Sequence, residues 1–286
     1  MVKYLEEYLF SHWGEFGLSE KPCVMKAEKR ADWRFLLPLS RDARILELAG
    51  IGDPYSVYLA HCYGEVVLLD ACYERAKLLH LRKTQEKIRS LSLVCGCPSR
   101  FLPFTQGTFD LVVMSRVLQW APTVEPGDPK RIQENLLSET FRVLRRNGIL
   151  YIEVENRFGY PFLLGTPDPH SGLRWGNVLP RKVANMVSKL CRGEEFRTYT
   201  HSYWALRRML EKAGFSAIQF YTPYSHPDDL EKFYPLDDLA VLKRWIFVLE
   251  EGRRFRDKRK RLLFQLMAKL GVFRVLASHY GVVATR

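Results

Sequence analysis

The feature that most constrains this chain is a regular alternation of short apolar runs with segments of helical periodicity. The runs are Arg44-Ile-Leu-Glu-Leu-Ala49, Glu65-Val-Val-Leu-Leu-Asp70, Leu91-Ser-Leu-Val-Cys95, Phe109-Asp-Leu-Val-Val-Met114 and Ile149-Leu-Tyr-Ile-Glu153. Each is too short for a buried helix and almost continuously apolar, as a strand covered on both faces has to be. Helical segments follow Asp53 and Pro54, run to about Thr84, and recur near 131–145. Strands alternating with helices specify an α/β fold, a parallel sheet with helices on both faces. Beyond it, 156–180 is rich in Gly and Pro and reads as a long loop. Helices are expected at about 180–191 and 203–213, a sixth strand at 216–221, and a last strand at 281–286. The first forty residues read as helical, with Tyr4, Leu5, Tyr8 and Leu9 on one face.

A chain of 286 residues with 47% hydrophobic and 27% charged residues can bury a full core without staples. Disordered and fibrous classes are excluded. No apolar stretch approaches the roughly 18 residues of a membrane span. The N-terminus carries Glu6, Glu7 and Glu15 in place of an apolar signal core, so a cytoplasmic protein is expected. Of six cysteines only Cys95 and Cys97 are close, and one C-x-C is not a zinc spacing. No metal is expected, and the thiols read as reduced and mostly buried. Lys and Arg exceed Asp and Glu by 44 to 32, a net +12 that suits an anionic partner or simple solubility.

In an open parallel sheet the ligand lies outside the carboxyl ends of the strands, so the first strand-to-helix turn is the place to look. Glu47-Leu-Ala49-Gly50-Ile51-Gly52-Asp53 occupies it, and Asp70 ends the second run about 20 residues on. An acidic side chain there suits the ribose hydroxyls of an adenosine. A dinucleotide is disfavoured. Tyr55 stands where the third fingerprint glycine would fall, and Asp53 would repel a pyrophosphate at the helix start. An acidic loop instead fits adenosine joined to a cationic amino-acid group, which describes S-adenosylmethionine.

Ile45-Leu-Glu47-Leu with its glycine turn, Ser56 and Leu59-Ala60 resemble the first motif of class I S-adenosylmethionine-dependent methyltransferases (methyltransferase type 11-like). Glu65 to Asp70 resembles their second motif. Leu102-Pro-Phe104 and Gly107 to Trp120 resemble the fourth strand and the loop after it, Phe141 to Leu150 the turn into the fifth, and Gly214-Phe215 the lead into the sixth. The resemblance implies a Rossmann-like sheet of about seven strands with the last antiparallel. It implies cofactor contacts from Glu47, Ala49, Gly50, Ile51, Gly52, Asp70, Ala71, Cys97, Pro98, Ser115, Arg116 and Gln119. Two departures stand out. The usual glycine positions hold Ala49, Ile51 and Asp53, and Gly96-Cys97-Pro98 lacks the acidic residue often found beside the adenine.

No Asn-Pro-Pro-Tyr-type motif follows the fourth run, and no paired catalytic cysteines occur, so an O-methyltransferase leads. The stretch from Asn156 to Gly172 is similar to methyltransferases of the polysaccharide-associated branch. It offers His170 as a base oriented by Asp168, and Asn156, Arg157, Tyr160 and Arg174 as acceptor contacts. A glycan, glycolipid or small-molecule acceptor is expected. The alternatives are an RNA methyltransferase and a non-catalytic protein of the same fold that binds S-adenosylmethionine. Against RNA, aromatic and basic residues are not interleaved as a stacking surface requires. The expected layout is a core at 1–222 with an N-terminal helical cap, a helical basic insertion at 223–278, and the core's final strand at 279–286. Within the insertion two helices, about 236–250 and 253–270, flank Gly252. Its span 243–261 carries nine basic and three acidic residues beside a stripe of Phe255, Leu262, Leu263, Leu266, Met267 and Leu270. That pattern suits a basic hairpin on an anionic membrane, with the protein peripheral at the inner face.

Overall fold

All five apolar runs are strands, and all are parallel to one another. They are β1 (Arg44–Leu48), β2 (Glu65–Asp70), β3 (Leu91–Cys95), β4 (Phe109–Ser115) and β5 (Leu144–Glu155). The computed structural model describes residues 31–49, 55–98, 101–169, 171–224, 232–238, 240–241, 266 and 270–286. Among these, three further strands complete the sheet: β6 (Ser216–Tyr224), β7 (Lys232–Pro235) and β8 (His279–Thr285). The order is β3-β2-β1-β4-β5-β8-β6-β7. β8 runs antiparallel to both β5 and β6, so the last strand is inserted between them as the resemblance implies.

The count is eight strands, not seven. The extra strand is β7, antiparallel to the end of β6, and it lies in the 223–278 insertion just ahead of the two helices expected there. Lys232-Phe-Tyr-Pro235 is a short aromatic segment, well suited to pair with the otherwise open edge of β6. A second difference follows β4. The segment read as a loop is a helix, Val117–Val124, despite Pro122 within it. The N-terminal helix through residue 30, the turn 50–54, and most of the helices expected at 236–250 and 253–270 lie outside the described residues.

In chain order the helices are α1 (Ser56–Cys62), α2 (Tyr73–Gln85), α3 (Val117–Val124), α4 (Pro129–Val143), α5 (Tyr160–Leu163), α6 (Arg181–Arg192), α7 (Tyr203–Lys212) and α8 (Phe273–Leu276). Alternation along the strands divides the core into two layers. Leu46, Leu48, Val112, Met114, Leu150 and Ile152 pack against α3, α4 and α7. Ile45, Leu68, Val113 and Tyr151 pack against α1, α2 and the 3-10 turn Asp32–Leu36. The second layer is keyed by Trp33, which stacks on Tyr151 at 4.2 Å and meets Tyr55 edge-on. At its far end α7 gives way to β6 at Gly214, with φ of +102°, where a Cβ would stand 2.9 Å from the Phe141 ring. Only glycine turns the chain there without moving that ring. Among the described residues no helix is long and apolar enough to cross a membrane.

Candidate active site

Parallel pairing brings the carboxyl ends of β1, β2, β4 and β5 to one edge. Residues of odd number on β1 and β5, and even number on β2, point into the layer of α1 and α2. The last of these on β1 and on β2 and the last two on β5 are acidic: Glu47, Asp70, Glu153 and Glu155. This edge is the candidate site.

Glu47 is buried at 1% exposure, and its Oε1 accepts the Tyr55 amide at 2.7 Å just ahead of α1. Its Oε2 is buried and has no hydrogen-bond partner among the described residues. Burial pushes its pKa up to about 8, against the pull of the Tyr55 and Ser56 hydrogen bonds and the Arg75 charge. An orphaned acidic oxygen fits an added hydrogen-bond donor, such as a ligand ammonium. Ala49 is buried and its amide donates to the Leu69 carbonyl, which fixes the start of the turn. Gly50, Ile51 and Gly52 lie outside the described residues.

Asp70 is fully buried, and both its oxygens are taken. Arg75 grips it with two bonds, Nε to Oδ2 at 2.5 Å and Nη2 to Oδ1 at 2.7 Å, and the Cys72 amide donates to Oδ1 at 2.8 Å. Ala71 and Cys97 are exposed beside it, and Pro98 is buried. The thiols differ from expectation: Cys95, Cys97 and Cys191 are exposed and Cys62 and Cys72 half-buried, because they fall at strand ends and on helix surfaces.

Glu153 joins β4, β5 and α1. It accepts the hydroxyls of Tyr55 at 2.9 Å, Tyr151 at 3.0 Å and Ser115 at 2.8 Å. Arg116 follows with a left-handed backbone, φ of +58°, and its amide donates to the Glu153 carbonyl. That conformation is uncommon outside glycine and marks functional corners. It turns the chain from β4 into α3, which carries Gln119. Gln119 is fully buried, its Oε1 accepts the Glu155 amide at 2.9 Å, and its Nε2 has no partner among the described residues.

Glu155 was not singled out from sequence. Its Oε2 is buried without a partner among the described residues. Burial raises its pKa to about 7, with Arg116 pulling it down and Asp168 pushing it up. His279 stands opposite it in the antiparallel register of β8. Burial, reinforced by Arg116, lowers that histidine to about 4, and it is therefore neutral at pH 7. The signal was in the sequence: Glu153 and Glu155 are two residues apart in a central strand, so both face one way at its exposed end.

The loop 156–180 forms a wall beside this edge, and four of its expected site residues hold the wall itself. Asn156 is fully buried. Its Nδ2 donates to the Val275 and Ala277 carbonyls at 2.6 and 2.7 Å, and its Oδ1 accepts the Phe158 amide. Gly159 comes so close to β8 that a Cβ would meet the Ser278 carbonyl at 2.9 Å. Arg157 donates to the carbonyls of Asn177 and Leu179, and burial lowers its pKa. Asp168, at 1% exposure, accepts from Asn177 Nδ2, the Ser171 amide and Thr198 Oγ1. Tyr160 begins α5 and packs half-buried against the core. Asn156 and Arg157 thus spend these polar atoms inside the fold. Asp168 likewise accepts two bonds from the loop and one from Thr198. Arg174 is exposed on the wall, and His170 lies outside the described residues.

A family model described as a methyltransferase domain matches residues 46–152, the stretch from β1 to β5 that carries this edge. No match is found among curated proteins. A chain of the Haloferax volcanii complex between a methyltransferase activator and the putative methyltransferase shares the fold. It is 14% identical with a TM-score of 0.50, over 92% of this chain and 87% of that one. An S-adenosylmethionine-dependent methyltransferase of Thermotoga maritima, a possible histamine N-methyltransferase, aligns over 99% and 98% at 15% identity and a TM-score of 0.49. One from Mesorhizobium loti aligns over 92% and 100% at 16% identity and a TM-score of 0.49. With its motifs in order on β1 to β5, the stretch 46–152 is similar to a methyltransferase domain, and S-adenosylmethionine is the cofactor which that likeness implies.

Proposed function

We propose that the protein transfers a methyl group to a hydroxyl of a small-molecule, glycan or glycolipid acceptor, with Glu155 as the general base. The observation that carries this reading is a pair of buried atoms by the end of β5 without a partner among the described residues, Glu155 Oε2 and, on α3, Gln119 Nε2. One is suited to take a proton and the other to donate to an oxygen, the two needs of a hydroxyl nucleophile. S-adenosylmethionine, when bound, supplies an activated methyl group on a sulfonium. Glu47 and Asp70 are the residues that would hold its ammonium and ribose. Glu153 is tied to Tyr55, Tyr151 and Ser115 and keeps the edge rigid, so orientation supplies much of the acceleration. Glu155 near pH 7 is half ionised, which suits a base working at neutral pH. Its service would complement or replace that of His170.

The location we propose is the cytoplasm, with the basic span 243–261 against an anionic membrane face near a lipid-linked acceptor. The test is mass spectrometry of small-molecule and glycolipid extracts, incubated with cofactor and either wild type or Glu155→Gln. Wild type should add one methyl to a hydroxyl compound. The variant should do so roughly 10²–10⁴-fold more slowly. Methyl label recovered in RNA instead of these fractions would refute the reading.

A further inference from the structure

The ribose-side carboxylate of this cleft is not waiting open. A carboxylate has about four lone-pair directions. Asp70 gives two to Arg75 and one to the Cys72 amide, and none of it is exposed to solvent. Arg75 sits in the first turn of α2, five residues after Asp70, and its side chain is only 16% exposed. It is also close enough to Glu47 to interact with it electrostatically. The arginine thus grips one of the two acidic groups assigned to the cofactor and feels the charge of the other.

We infer that Arg75 competes with the cofactor's ribose diol for Asp70, and so sets the affinity of the cleft. A diol needs two acceptor directions on one carboxylate, and no more than one is left. Binding therefore requires one of these three bonds to break, and the Arg75 side chain can turn away more readily than the backbone amide of Cys72. This rests on the cofactor assignment above, and extends it to a residue whose effect on binding is opposite in sign to that of Asp70. A supporting residue would strengthen binding; a competitor weakens it.

The probes are S-adenosylhomocysteine, adenosine and 2′,3′-dideoxyadenosine, measured by titration calorimetry and by ligand-induced change in Tm. Arg75→Met keeps the length of the side chain and removes its charge and donors. S-adenosylhomocysteine and adenosine should bind at least tenfold tighter to this variant. Dideoxyadenosine, which lacks the diol, should not gain. The unliganded variant should melt lower than wild type, since a buried carboxylate has lost its partner, and show a larger rise in Tm with S-adenosylhomocysteine. Should Arg75→Met fold poorly, Arg75→Lys, which cannot make the paired grip, should gain part of the affinity. Equal or weaker S-adenosylhomocysteine binding by the folded variant overturns the inference and makes Arg75 a positioning residue for Asp70. A gain shared by dideoxyadenosine overturns it too, since the competition would then not be for the diol. If folded wild type and variants all ignore S-adenosylhomocysteine, the cofactor assignment itself fails and takes the inference with it.

Discussion

Replacing Glu47 with Gln tests whether the turn after β1 is built around a reluctant carboxylate. The side chain is buried, one oxygen is satisfied by Tyr55 and the other has no partner among the described residues. Its pKa rises from 4.5 to about 8, so the folded state holds this proton more tightly than the unfolded chain does. Stability from this group is therefore complete below about pH 4.5 and is lost as pH rises through about 8. The slope is roughly 1.4 kcal/mol per pH unit, and the whole loss is on the order of 5 kcal/mol. Glutamine keeps the acceptor for Tyr55 and cannot ionise. Urea denaturation between pH 5 and 8.5 should show wild type losing stability relative to Glu47→Gln as pH rises, with the two curves closing at the acid end. Parallel curves would refute the reasoning. The same carboxyl should report the ligand. A bound ammonium favours the ionised form, so S-adenosylhomocysteine should expel a fraction of a proton near pH 7. The binding enthalpy of wild type should then depend on buffer ionisation heat while that of the variant should not.

Asp70→Ala should weaken S-adenosylhomocysteine by at least ~1.5 kcal/mol in calorimetry, since a charged acceptor is lost. Asn156→Ala should cost about 2–4 kcal/mol of stability by chemical denaturation, because two buried carbonyls and an amide lose their partner. Once an acceptor is in hand, the rate should rise with pH through about 7, and Glu155→Gln should abolish that limb. If His170→Ala abolishes it instead, the base is the histidine. Liposome flotation at low salt should show adsorption to anionic but not neutral vesicles, lost when Arg253, Arg254, Lys258, Arg259, Lys260 and Arg261 are neutralised; adsorption that survives those changes places the contact elsewhere.

The sheet was legible because β1, β2, β4 and the later part of β5 are covered on both faces, and double burial writes itself as an unbroken apolar run. Asp70 and Glu47 were legible for the converse reason, acidic residues closing apolar runs. Two kinds of feature were not. Lys232–Pro235 is an edge strand, with too few residues and too little burial to leave a periodic trace. Partners distant in sequence were equally silent. Nothing in Asn156 announces that its amide will clasp carbonyls about 120 residues later, so a polar residue at a strand exit read as an acceptor contact. Arg75 was hidden differently. A basic residue on a helix ordinarily faces solvent, and only the fold reveals that this one turns back onto the strand before it.

The charge of the chain and the charge of the site point in opposite directions. Net +12 invites a polyanion such as RNA, yet the edge where transfer is proposed carries Glu47, Asp70, Glu153, Glu155 and Asp168 against Arg75 and Arg116. A phosphate backbone threaded over that edge would meet carboxylates, and an ion pair with Arg75 would compete with the bonds it already makes to Asp70. A neutral hydroxyl meets no such penalty, and is the partner that Glu155 and Gln119 can serve. The excess positive charge is uneven along the sequence, and 243–261, with a net +6, holds half of it. Attraction to an anionic surface and chemistry on an uncharged group are thus assigned to separate parts of the molecule. Neutralising the basic span should therefore change adsorption while leaving S-adenosylhomocysteine affinity as it was. A coupled loss of both would show that the span reaches the cleft and that this separation of roles is wrong.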